Sequence, residues 1–477
     1  MNAELTKKYK YWQWRTLIVL MIAYILYYFL RKNFSAALPA MQEELGITKL
    51  QLGTFITLNG IIYGFSRFVH GFIADRCSRR KLLAGGLIIS AIINFAIAFS
   101  PKLDGVFNLL DAEGKATMGL VYLIGSLWVI NGYIHGMGFP PCASLMAHWI
   151  KPSELATKQS IWNSSHSIGA GLVFGLCGWV IMPHLGLDMS ANAEVVKTIT
   201  ENLGANASYE EILSFSQHFG AWRLCFLIPA AFALLGSLGI ITLIKNSPSE
   251  VGLPEVVEKK AQSVQTAAEK AEYNAFVRRK VFGNRLIWTL GLANFFVYVV
   301  RFAALDWGPT MLTESKGLSL AMATTLCIVF EFVGGNVGMV FWGWLTDKFF
   351  NSKAHRTCVL CMVGAAATVA LFWAIPEGTA WWIQILPFTF IGFFVYGPQA
   401  LLGISAANQA TNRAAATANG ILGIFGYAST LISGVGFGYV AQHYGWNGAY
   451  LTILIMSLLG VVTLLTMWNA PANGYED

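Results

Sequence analysis

The chain has 477 residues and a formal net charge of +7, yet only 12% of its residues are charged and 55% are hydrophobic, with a mean hydropathy of +0.55. Soluble domains carry about 25% charged residues, so this chain cannot cover its own surface with polar groups and lipid must do so. The positive balance therefore asks for a topological explanation rather than a nucleic-acid partner, and the seven scattered cysteines form neither a disulfide framework nor a zinc site.

Continuous apolar stretches of roughly 20 residues recur from end to end, the length of helices that cross a hydrocarbon core of about 30 Å. Twelve spans are expected, at 15–40, 51–74, 82–100, 118–148, 159–183, 221–244, 286–312, 319–345, 357–376, 380–408, 415–440 and 447–469. The fold class is an all-α membrane protein. The first apolar stretch is too long for a signal peptide, so this helix is expected to stay in the membrane.

Span one carries Arg31 past its middle, with Tyr24, Tyr27 and Tyr28 at spacings that share its helical face. A charge within a membrane helix costs about 2.5–3.5 kcal/mol on insertion scales, so Arg31 is expected to face the bundle interior and to serve function. Lys32 follows it. Span two brings Arg67 and His70; Arg67 either adds positive potential to a cavity or pairs near the helix end. Span five brings Asn163 and His166. A histidine, with its ordinary pKa of about 6.5, can exchange a proton as a ligand arrives, or can simply be packed by hydrogen bonds. Span seven repeats the first, with Tyr298 and Asn294 three and seven positions before Arg301. Asp306 lies beyond Arg301, Glu331 lies in span eight and Tyr396 in span ten. The Cys358–Cys361 pair sits in an apolar helix and reads as packing.

Lys7, Lys8, Lys10, Arg15, Arg76, Arg79, Arg80, Lys81, Lys151, Lys158, Lys348, Lys353, Arg356, Arg413 and the basic residues of 245–285 fall on one side of this topology. Lys49, Lys102, Lys115, Lys197 and Lys316 fall on the other. The positive-inside rule then places both termini in the cytoplasm. Residues 245–285 divide the spans six and six, giving two lobes, 1–244 and 286–477, and a cytoplasmic linker, 245–285. The lobes echo each other: Gly71, Asp75 and Arg76 follow span two at the spacing at which Gly343, Asp347 and Lys348 follow span eight. Internal repeats of this kind are known in transporters.

The loop from Gly71 through Asp75, Arg76, Arg79 and Arg80 to Lys81 resembles the signature of the major facilitator superfamily, with Ser78 where glycine is usual. Within that superfamily, five stretches resemble the organophosphate:inorganic phosphate antiporters. They are Tyr27 to Phe34, Gly136 to Cys142, Trp162 to His166, Phe296 to Trp307, and Tyr396 to Gln399. The resemblance covers essentially the whole chain. It implies a membrane transporter, not an enzyme, that exchanges an organic phosphate for inorganic phosphate in a bacterial inner membrane. It implies no cofactor and no metal, and a monomer is expected. Arg31 and Arg301 would grip the phosphate, since two planar guanidiniums offer paired donors. Tyr27, Tyr28, Tyr298, Asn163, His166, Arg67 and Tyr396 would surround it. Lys32, Asp306 and Glu331 would make and break ion pairs at the outer gate, and Asp75, Arg76, Asp347 and Lys348 would do so in the cytoplasmic loops.

A phosphate clamp reads only phosphate. The residues Lys8 to Trp12 and Gly397 to Gln399 look more like the hexose-phosphate branch, so a hexose 6-phosphate is the first expectation. Glycerol 3-phosphate, phosphoglycerate and a transporter-like sugar-phosphate sensor remain alternatives.

Overall fold

The computed structural model describes residues 3–111, 114–150, 152–184, 220–254 and 267–474. Its elements are almost wholly helical. Among the described residues, ten helices are long and apolar enough to cross a membrane. One further helix, with a polar face, lies outside these ten, and Thr417–Leu465 holds two of the expected spans. In chain order the helices are α1 (Ala3–Leu45), α2 (Lys49–Arg76), α3 (Arg79–Phe99), α4 (Met118–Trp149), α5 (152–184) and α6 (Ala221–Leu243). After the linker come α7 (Arg285–Asp306), α8 (Leu320–Phe349), α9 (Ala354–Ala374), α10 (Trp381–Thr411), α11 (417–444) and α12 (446–465). The omitted helix is α2, where Asn59, Ser66, Arg67 and His70 interrupt the apolar run.

The breaks follow from local chemistry. Thr411 has φ 61° and Gly445 φ 67°, left-handed backbone that a helix cannot hold, and these separate α10 from α11 and α11 from α12. A bend at residues 136–138 divides α4, and its second part starts on Phe139, Pro140 and Pro141, where a missing N–H costs least. The expected seventh span to 312 stops at Asp306. After Trp307 a separate short helix, Gly308–Lys316, begins with Pro309. Within the linker, Ala267–Val277 is helical; residues 255–266 lie outside the described residues.

Large apolar side chains such as Ile22, Leu235, Leu238, Val340, Leu386 and Val462 are exposed. Water would not tolerate so broad a surface, and lipid does. Inside, packing differs between the two ends of the bundle. At the end where α1 finishes and α2 starts, one apolar core runs from Phe34, Leu38 and Leu52 through to Val300, Trp307 and Phe437. Toward the opposite end the first six helices keep a core of their own, including Tyr9, Leu20, Leu83, Trp149 and Ile244.

Polar contacts between α1–α6 and α7–α12 gather at the first of these ends. Thr57 Oγ1 donates to the carbonyl of Thr430 and accepts from the N–H of Val435, both at 2.7 Å. Lys49 pairs with Glu314 at 2.7 Å, and Trp179 Nε1 donates to Thr325 Oγ1 at 2.9 Å. Gly53 of α2 and Gly434 of α11 lie so close that a Cβ on Gly53 would stand 2.5 Å from the Gly434 carbonyl oxygen. The bundle is closed at this end. The innermost of these contacts is Arg67 to Tyr427; beyond it, Gly71 on α2 and Gly420 and Gly423 on α11 have no neighbour where a Cβ would be.

Candidate functional site

A cavity of about 150 Å³ lies between the halves, inward of the closed end. Arg31 and Arg301 both line it. Each comes from the first helix of its half, and each stands on a tyrosine three residues earlier. The Arg31 guanidinium carbon is 5.8 Å from the ring centre of Tyr28, and that of Arg301 is 5.8 Å from Tyr298. Spacing on a helix face sets both pairs.

Their surroundings differ. Arg31 lies 4.1 Å over the ring of Tyr63 from α2. Arg301 leans toward α8 and α10: its Nη2 is 3.7 Å from Glu331 Oε1, and its guanidinium is 4.9 Å from the ring centre of Tyr396. Glu331 has no exposed surface and sits in a wide π-helical turn, Phe330–Gly335. Such turns displace a side chain from the regular helix register. Lys32, next to Arg31, reaches across to Asp306 on α7 at 2.5 Å.

Arg67 also reaches the cavity. It donates to Tyr427 Oη at 3.1 Å and lies 4.1 Å over the Phe139 ring. Arg31 and Arg67 thus rest on aromatic faces, which attract cations through the ring quadrupole. Four cations, Arg31, Lys32, Arg67 and Arg301, meet two carboxylates, Asp306 and Glu331. The excess of two positive charges suits a dianion.

His166 and Asn163 line the same cavity from α5. The Nδ1 of His166 faces the carbonyl oxygen of Asn163 at 2.5 Å. A carbonyl only accepts, so Nδ1 carries the proton and Nε2 is left as an acceptor. The ring stands edge-on to Tyr28. His70 and His135 are held elsewhere, on Ser66 and Ser90 respectively.

Two expected cavity residues are placed differently. Tyr27 is buried, and its hydroxyl donates to the Leu83 carbonyl at 2.8 Å. It serves the packing of α1 on α3, because only one of two adjacent tyrosines can point at the cavity. Tyr396 has no exposed surface and backs Arg301 from behind instead of forming the wall. In the loops, Arg76 is exposed, Asp347 accepts from Ser352 Oγ at 3.1 Å, and Lys348 lies over the rings of Trp344 and Phe349. The described side chains of these loops make no ion pair across the halves, as befits the end at which the halves do not meet. The Asp75 side chain lies outside the described residues. Sequence reasoning missed Tyr63 and Tyr427. Tyr63 carried a signal, four residues before Arg67 on one face of α2; Tyr427 carried none, since only the approach of α11 to α2 brings it in.

The chain matches the Major Facilitator Superfamily over residues 20–434. It is 32% identical over 473 residues to the glycerol-3-phosphate transporter of Bacillus subtilis (strain 168), covering 98% of this chain and 95% of that one. It is 31% identical over 483 residues to the probable hexose phosphate transport protein of Chlamydia trachomatis serovar D, covering 98% and 94%. Among solved structures, a bacterial homologue of the human lysosomal transporter Spinster, inward-facing and unoccupied, superposes with a TM-score of 0.69 at 16% identity, covering 95% of each chain.

Proposed function

The chain belongs to the major facilitator superfamily, with organophosphate transporters as its relatives, and from that premise we propose that it exchanges an organic phosphate ester, a hexose 6-phosphate first, for inorganic phosphate. The observation that carries this is the convergence of Arg31 and Arg301, from the first helices of the two halves, on one cavity with an excess of positive charge. Guanidinium forks bind phosphate oxygens in pairs. His166 Nε2 accepts from the P–OH of inorganic phosphate, and the tyrosine hydroxyls complete the shell.

The two lobes, 1–244 and 286–477, rock about this site, joined by the linker 245–285. With both termini in the cytoplasm, the closed end faces outward and the cavity faces the cell interior. Phosphate draws Arg31 and Arg301 together and competes with Glu331 for Arg301. That competition gives substrate a different affinity for each conformation, which a conformational shift requires. An empty site leaves like charges facing each other and resists the crossing, so the carrier crosses loaded.

The test is counterflow in liposomes containing only this protein, with labelled phosphate inside and a panel of sugar, glycerol and glycerate phosphates outside. Efflux driven by a hexose 6-phosphate supports the assignment. Efflux driven only by glycerol 3-phosphate moves it to that substrate. Net uphill uptake that follows a proton gradient with no phosphate inside contradicts exchange. A sensor that does not transport would show no counterflow.

A further inference from the structure

Among the described residues, the buried polar atoms at the cavity that lack a hydrogen-bond partner are Arg301 Nε, both carboxylate oxygens of Glu331, the Tyr396 hydroxyl and Gln399 Oε1. The first three residues sit together around Arg301 and belong to its charge cluster. Gln399 belongs to no such cluster. It lines the cavity from α10, and no protein group meets the oxygen of its amide. Buried polar groups in folded proteins are nearly always paired, so an orphan of this kind asks for an external partner.

Position narrows the partner. Gln399 lies three residues after Tyr396, hence on the same face of α10 and one turn, about 5 Å, along it. Tyr396 backs the Arg301 guanidinium. The N-terminal end of α10 is at the closed end, where the Gly378 N–H donates to the Lys316 carbonyl. Gln399 is therefore displaced from the arginine level away from the closed end. Asn163 is displaced likewise, one turn before His166 on the oppositely directed α5, and it is exposed. A neutral amide has no charge with which to hold a phosphate, but it offers both a donor and acceptors, the complement of a hydroxyl group.

We propose that Gln399 is a specificity-determining residue that hydrogen-bonds a hydroxyl of the substrate's organic half, one turn from the phosphate site. The cavity then has two layers, one of cations that reads phosphate and one of amides that reads a polyhydroxylated chain or ring. This rests on the transport reading above and extends it to the part of the substrate that the arginines cannot distinguish.

The experiment measures phosphate exchange in proteoliposomes and its inhibition by glucose 6-phosphate and by butyl phosphate, which has no free hydroxyl on its carbon chain. The variants are Gln399→Met and Gln399→Asn. The readout is the half-saturation ratio of each ester to inorganic phosphate. For Gln399→Met the glucose 6-phosphate ratio rises about tenfold, the weight of one hydrogen bond in a buried site, while the butyl phosphate ratio stays constant. Gln399→Asn gives a smaller rise. A purely structural role would move all three ligands together and leave the ratios unchanged, which overturns the proposal, as does loss of exchange by both variants when both are present in the membrane. If the unaltered protein is inhibited by no phosphate ester, the transport reading itself fails, and that result is distinct from a normal protein with an unresponsive ratio.

Discussion

Lys32 on α1 and Asp306 on α7 are joined at 2.5 Å, with side chains 7% and 15% exposed, next to the two arginines of the cavity. An ion pair so shielded from water depends on both partners, because removing one leaves a buried charge unmatched. Asp306→Asn should therefore weaken the closed end. A cysteine placed at Thr430 should react several-fold faster with a membrane-impermeant thiol reagent in that variant. The double variant Lys32→Asp with Asp306→Lys should recover part of the protection.

The approach of Gly53 to Gly434 gives a second handle on the same closure. A side chain at Gly53 meets the Gly434 backbone first, and one at Gly434 meets the Thr57 hydroxyl and then the Gly53 carbonyl oxygen. Overpacking costs about 1–3 kcal/mol, which corresponds to a roughly 5–150-fold change in a two-state equilibrium. Gly53→Val should shift the protein toward the state open at this end. Spin-label distances between the α2 and α11 ends should lengthen, and saturating phosphate should not restore the short distance fully.

Glu331 lies 3.7 Å from Arg301, and under the proposed exchange it competes with substrate for that arginine. Glu331→Gln should lower the half-saturation constant for phosphate, on the order of tenfold, and slow exchange because release becomes harder. Binding measured by calorimetry and turnover measured in proteoliposomes should thus move in opposite directions. Parallel losses would assign Glu331 to packing alone.

Tyr27 supports the fold rather than the site. Tyr27→Phe removes one buried hydrogen bond, to the Leu83 carbonyl, and should cost about 1 kcal/mol of stability. Thermal unfolding in detergent should register that loss, and the half-saturation constant for phosphate should not change.

The helices were legible because lipid imposes a simple rule on sequence: long apolar runs, broken by polar loops. The rule weakens where a helix lines an aqueous cavity, which is why α2 falls outside a count by hydropathy and yet was visible as a span. The arginines were legible for the opposite reason, as costly exceptions to that rule. Tyr27 and Tyr28 were not separable, since both are near Arg31 on a helical wheel and the rotation of α1 is decided by its packing on α3. Tyr396 was expected around the phosphate, but it has no exposed surface and its ring centre lies 4.9 Å from the Arg301 guanidinium, a placement set by the packing of α7 on α10. Tyr427 carries no charge and no motif, and its role depends on a contact between residues 360 positions apart in the chain.

The central claim is that two guanidiniums, one from each half, hold the same phosphate. Labelled phosphate exchange in proteoliposomes by Arg31→Lys and Arg301→Lys tests it most directly. Lysine keeps the charge but not the planar fork, so exchange should fall by at least about two orders of magnitude in each variant, with normal amounts of protein in the membrane. Near-normal exchange by either variant would contradict the two-arginine site.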